Sequence, residues 1–314
     1  MIHFFTHFPL FTNGVFLAIL AQVLIGISLV WDKILLRQPT TKSIINYVFW
    51  LGAISIFGLC LIPFGFNMPP LWLAGLAFAA GIIHLIANYF YYAALKAGDA
   101  SQTLAIMGGF SPLATALIAI GLLDKPLGGG NELGFALMVG GGFLMFFSEP
   151  VDLKKLLPLV LLASLFFGLT NVTQKMAFNA TNFVSAYVFF TLGTVAGALF
   201  FLVKTSWRQE IFRQSEEASP KSKLWYFINR FMAGVGSFLI FLAIDHANPA
   251  IVDGISGVRY VIIFVGAYLL TRYWPRLLKE DFGRWALTAK AIATLLVAAG
   301  LVLVAMQGGS TGAA

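Results

Sequence analysis

AQVLIGISLVWDK (21–33) is written a second time, loosely, as ASLFFGLTNVTQK (163–175), with Ala21, Gly26, Val30 and Lys33 in step with Ala163, Gly168, Val172 and Lys175. Working outward, YVFWLG (47–52) answers YVFFTLG (187–193). Further along, YYAALKAGDASQTLAIMGG (91–109) lines up in position with FLIFLAIDHANPAIVDGIS (238–256). Each match is weak; their common order is not. The repeated unit holds five apolar segments, and five is odd. A second copy following the first therefore enters a membrane from the opposite face, and inverted copies of this kind are a transporter architecture.

Composition names the solvent. The chain has 314 residues, 59% apolar and only 11% charged, with a mean hydropathy of +0.87. A soluble domain carries about 25% charged residues. Crossing the hydrocarbon core takes roughly 20 apolar residues as helix, and the long unbroken apolar runs exclude a β-barrel, which alternates apolar and polar positions. The fold class expected is an all-α membrane protein of ten transmembrane helices in two inverted five-helix repeats, 14–148 and 155–306.

The ten spans are read at 14–36, 43–65, 71–95, 100–123, 131–148, 155–179, 183–203, 224–246, 249–271 and 285–306. Punctuation falls between them, as Pro69-Pro70, Gly128-Gly129-Gly130, Glu149-Pro150 and Asn248-Pro249. Most loops are too short for a soluble domain. The exception, 204–223, is open to two readings: a short interfacial helix with Trp207 and Ile211 on one side, or a solvated linker between the halves. The N-terminal MIHFFTHFPLFT lacks the positive region and cleavage site of a secretory signal. Cys60, the single cysteine, lies within a span, so disulfides and thiolate metal sites are not expected.

The net charge of +7 belongs to membrane topology rather than to nucleic-acid binding. Of the 20 Lys and Arg residues, the loops after the odd-numbered spans, with their flanks, hold all but Lys125, Lys175 and Arg259. Arg230 is counted among the flanks. Basic residues in short loops mark the cytoplasmic side, which places both termini outside a bacterial inner membrane.

With the spans placed, the chain resembles the drug/metabolite transporter superfamily, in particular its EamA-like ten-helix members. The resemblance rests on Gly26 with Lys33, Gly168 with Lys175, Ala94-Leu95-Lys96, Ala100-Ser101, Pro112 and Asp124-Lys125. In the second half Val261 stands where the mid-helix Pro would be, and Asp253 and Arg259 are additions to the family's pattern. The resemblance implies a cavity between the third, fourth, eighth and ninth spans, with help from the first and sixth.

Charged groups at membrane depth are costly, about 2.5–3.5 kcal/mol on insertion scales, and are functional by default. Arg259 lies about 15 Å from either end of a helix beginning at Pro249; its planar fork suits a carboxylate or phosphate. If that helix begins nearer Gly254, the side chain instead snorkels to the headgroups. Asp253 shares a face with Ser256 and is either a proton carrier or a headgroup-level carboxylate at a helix start. His84, Asn88 and Tyr91 form a polar stripe in the third span, for substrate contact or for interhelical hydrogen bonding. Asn171 and Gln174 form another beside Lys175. Lys33 and Lys175 read as snorkelling ends or as gating charges, while Gln102 and Ser111 decorate the fourth span. No His, Cys or carboxylate lies at metal-ligand spacing, so neither a metal nor any other cofactor is expected.

The function expected is secondary active transport of small polar metabolites, such as amino acids or organic anions, by alternating access, coupled to protons or run as exchange. The partners are a small-molecule substrate and the lipid bilayer, with the protein a monomer or homodimer. The alternative is a non-transporting membrane sensor or accessory subunit. An enzyme is not expected, for want of a nucleophile–base pair or metal cluster.

Overall fold

The computed structural model describes residues 13–35, 43–97, 100–123, 131–147, 153–217, 219–273 and 284–308. Backbone amides in hydrocarbon must be satisfied within the segment, and no strand occurs among the described residues. The helices are α1 Gly14–Leu35, α2 Ile44–Ile54, α3 Leu71–Ala97, α4 Ala100–Leu123, α5 Asn131–Phe147, α6 Leu153–Ala180, α7 Phe183–Phe200, α8 Thr205–Glu217, α9 Pro220–His246, α10 Pro249–Gly254, α11 Gly257–Tyr273 and α12 Arg284–Gly308. Among the described residues, eight segments are long and apolar enough to cross a membrane, with two shorter apolar helices at Glu132–Leu144 and Ala291–Val304. The chain is an integral multi-pass membrane protein.

Local signals account for where the helices start. Asn13 caps α1, accepting from Val15 N at 3.0 Å and Phe16 N at 3.2 Å. Ser43 caps α2 and Asn182 caps α7. Ser219-Pro220 and Asn248-Pro249 open α9 and α10, each with a side-chain oxygen over the first turn and proline at the first helical position. That placement satisfies otherwise orphaned N–H groups and uses a residue without one.

Two expected spans are not continuous α-helices. After Ile54 the second span tightens into a ten-residue 3₁₀ helix, Ser55–Phe64, ended by Gly65 in the left-handed region at φ 117°. Runs of that length are uncommon, because the hydrogen bonds are poorer. The segment at 249–271 breaks between α10 and α11, where Ser256 N bonds Asp253 O and Arg259 N bonds Ser256 O. Residues 204–223 resolve in favour of helix: α8 buries Ile211 completely and lays Trp207 against Phe201 at 5.6 Å. Glu149-Pro150 and the Gly128–130 run lie outside the described residues.

Apolar packing is divided across the bundle. One core cluster gathers Tyr47, Tyr92, Ala94, Leu156, Ala198 and Ile211, from the helix ends beside the basic loops. A second gathers Leu17, Leu73, Ala177, Tyr187, Ile244 and Ile251, from the opposite ends, and a small third joins Ala116, Phe135, Val139 and Ala250. Helix pairs α1–α9, α3–α6, α3–α7 and α5–α12 supply the main contacts. The α3–α7 seam is glycine-dependent: a Cβ on Gly193 would lie 1.9 Å from Phe78 O, and one on Gly81 2.0 Å from Phe190 O. Small residues let two backbones meet in this way, so dispersion replaces the hydrophobic drive that lipid cannot provide.

Candidate functional site

Between the two larger apolar clusters lies a cavity of about 410 Å³, within the range of small-ligand sites. Its wall carries polar groups from α1, α3, α4, α6, α9, α10 and α11, among them Gln22, Asn88, Ser111, Asp253 and Arg259.

At the basic-loop end stands a closed ionic cluster. Asp32, near the end of α1, accepts from Arg230, Asn229 and Tyr47 through one carboxylate oxygen. The Arg230 and Asp32 side chains are 3% and 2% exposed. A second arm of the guanidinium donates to Tyr92 Oη at 2.7 Å, and its carbon lies 4.8 Å from the centre of the Tyr47 ring. Tyr226 closes the box, donating its hydroxyl to Tyr47 O at 3.1 Å. Buried charge is tolerated only when paired and hydrogen-bonded, and the aromatic faces add cation–π attraction.

Deeper in the cavity, Arg259 is held differently. Its Nε and one terminal nitrogen donate to Gln22 Oε1 at 2.9 and 2.6 Å, so the fork rests on a neutral carboxamide. It makes no ion pair with a carboxylate among the described residues. The break after Gly254 brings Asp253 nearby, where its Oδ2 accepts from Ser111 Oγ at 2.9 Å and Thr115 Oγ1 at 2.5 Å across to α4. Ser256 Oγ, at the break itself, is buried with no hydrogen-bond partner among the described residues. Discontinuous helices with loosened backbone at such a depth are where transporters build their sites.

The sequence-derived candidates divide by position. Arg259, His84, Asn88, Tyr91, Ser256, Asp253 and Asn171 all line the cavity. His84 is boxed by Phe167, Phe190 and Phe241, with ring centroids 5.7, 5.3 and 5.9 Å away. Asn88 returns its amide to His84 O at 2.8 Å, within its own helix. Gln174 is fully buried away from the cavity, and Lys175 reaches the last turn of α9, donating to Asp245 O at 2.7 Å. A cation there meets the negative end of a helix dipole. The side chains of Lys33 and Gln102 lie outside the described ones. Among the described residues no group of His, Cys, Asp and Glu is arranged to hold a metal.

Sequence reasoning missed the Asp32–Arg230 cluster and Gln22. Arg230 is not a loop-flank charge: it sits ten residues into α9, about 15 Å below its start by the helical rise. Asp32 lies near the end of α1, where the sequence alone does not single out Arg230 as its partner. The available signal was two opposite charges at matching depth in two spans.

Residues 12–147 match the family model described as the EamA-like transporter family. No curated protein matches the chain. A solved crystal structure, described only as that of a protein, shares the fold at a TM-score of 0.60. The superposition covers 95% of this chain and 97% of that one, at 14% identity.

Proposed function

From the premise that residues 12–147 match the EamA-like transporters and that the chain is a membrane transporter of that type, we propose that it moves a small anionic or zwitterionic metabolite by alternating access. The moving parts are two inverted five-helix units, 14–148 and 155–306, rocking about the midplane cavity. One observation carries the reading: an arginine at membrane depth, on the wall of that cavity, whose hydrogen bonds among the described residues go to the neutral Gln22, with Asp253 near enough to attract it but not in an ion pair with it. A guanidinium there without a direct ion pair costs free energy that an entering carboxylate or phosphate recovers through a bidentate, charge-assisted contact.

The neighbouring groups take supporting roles. Asp253, between Ser111 and Thr115, exchanges a proton as the site changes its access. Ser256, Asn88 and Asn171 offer donors and acceptors to the remainder of the substrate. Asp32 and Arg230, with their tyrosines, form the gate at the basic end, where the cytoplasm lies and from which both termini face away. Opening that gate requires the ion pair to separate into water, where both charges are solvated again.

The test is uptake into proteoliposomes from a panel of amino acids and organic anions. Arg259→Ala abolishes uptake of the preferred anion and leaves folding intact. Asp253→Asn retains exchange but loses acceleration by an imposed proton gradient. Equal uptake by wild type and Arg259→Ala overturns the site. Cysteine labelling that found the loops after α1 and α6 on one side of the membrane would overturn the inverted arrangement.

A further inference from the structure

The two lateral seams of the bundle are not alike. On the α3–α7 side the backbones touch through Gly81 and Gly193. On the other side, the 3₁₀ segment Ser55–Phe64 faces α9 across a gap. A Cβ added at Gly234, midway along α9, would meet nothing within 4 Å. Phe57, Phe231 and Val235 line the cavity and are also 54%, 59% and 37% exposed. Near the basic end the seam is bridged by the Phe57–Phe227 rings at 6.4 Å and by the Tyr226–Tyr47 hydrogen bond. The cavity is thus capped at both helix ends by apolar clusters and breached sideways, where the surrounding medium is hydrocarbon.

The chemistry changes sharply along this path. Its inner end is Arg259 with Gln22, Ser256 and Asp253; its outer end is Phe57, Phe231 and Val235. A fully polar solute is poorly accommodated in the outer half, whereas a hydrocarbon chain keeps there the apolar surroundings it has in the bilayer. We infer that the substrate is an anionic amphiphile, a carboxylate or phosphate on a single hydrocarbon chain, which enters from the bilayer through the seam between Ser55–Phe64 and α9 and lodges its headgroup on Arg259. This rests on the reading of Arg259 as the anion site and adds to it the substrate class and the route.

The experiment uses the full chain in lipid nanodiscs and two photoactivatable probes with the same diazirine-bearing octyl chain, one ending in phosphate and the other in a hydroxyl. The phosphate probe is expected to label Phe231 and Ser55 about tenfold more than the alcohol, the gain of one good charge-assisted contact. Arg259→Gln removes that preference, and Gly234→Trp, which fills open space, blocks labelling of Ser55 by both probes. Phe231→Ser serves as a second seam variant and weakens retention of the phosphate probe. Equal labelling by the two probes in wild type overturns the inference, since the seam then merely touches lipid. Ethyl phosphate uptake in proteoliposomes separates the two readings. If it depends on Arg259 while the octyl probes label equally, the lateral route fails and the anion site stands. If neither uptake nor labelling depends on Arg259, the anion site fails as well.

Discussion

Arg230 and Arg259 carry the same side chain at membrane depth, and their surroundings are opposites. Arg230 is met by a full carboxylate, a tyrosine hydroxyl and aromatic faces at the basic-loop end of the cavity wall. Arg259 leans on one amide oxygen and faces open volume. A buried, directly bonded ion pair contributes to holding a conformation; a guanidinium bonded only to a neutral amide among the described residues is poised for an anion from outside. The difference lies in the partner: Asp32 sits near the end of α1, whereas Gln22 lies ten residues earlier on the same helix, about 15 Å away along its axis. One helix thus sets both environments.

The largest expected effect breaks the closed member of the pair. Asp32→Ala leaves Arg230 buried and uncompensated, a loss of about 3–5 kcal/mol, read as a fall in thermal unfolding temperature of the purified protein. Adding Arg230→Ala to that variant restores a good part of the loss, because the penalty is the orphaned charge; a double-mutant cycle gives the coupling. Strict additivity of the two single changes would show that the pair does not act as a unit.

A smaller effect tests the seam that holds the halves together. Gly193→Ala forces α3 and α7 apart and costs about 1–3 kcal/mol, whereas Gly234→Ala, in open space, falls within about 0.5 kcal/mol of wild type. Thermal unfolding of the two variants, side by side, measures the asymmetry directly. Similar losses for both would mean that the side between Ser55–Phe64 and α9 is packed after all.

The open member shows the smallest change in stability. Gln22→Ala removes one hydrogen-bond acceptor from a charged partner, worth about 1.5–3 kcal/mol when nothing replaces it. Cavity water and substrate do replace it, so unfolding shifts by less than this while substrate KM rises. Arg259→Ala is close to neutral in stability yet abolishes uptake. If it proved as destabilising as Asp32→Ala, the contrast between the two arginines would collapse.

Several site residues were legible because hydrocarbon makes polar groups conspicuous. Arg259, Asp253, His84 and Asn88 stand out in apolar runs, and all four line the cavity. Lys175 stood out equally, but its length and its place near a helix end let it reach the α9 carbonyl instead. Arg230 was hidden by arithmetic: α9 begins at Pro220, earlier than hydropathy suggested, since Lys221 and Lys223 in its first turn masked the start. Gln22 and Thr115 were unreadable, because a neutral polar residue in a span signals nothing until its partner is known.

By itself, the sequence determined the solvent, the helical class, most helix starts and the family resemblance of the first half. These follow from local properties, namely the length of apolar runs, caps and prolines, which act within a turn or two of chain. Only the tertiary structure decided that Asp32 meets Arg230, that the second span tightens into a 3₁₀ helix, and that one seam closes while its counterpart gapes. Such outcomes depend on which helices are neighbours and at what depth their side chains meet. That is settled by packing across some two hundred residues of separation, where no periodicity in the chain can report it.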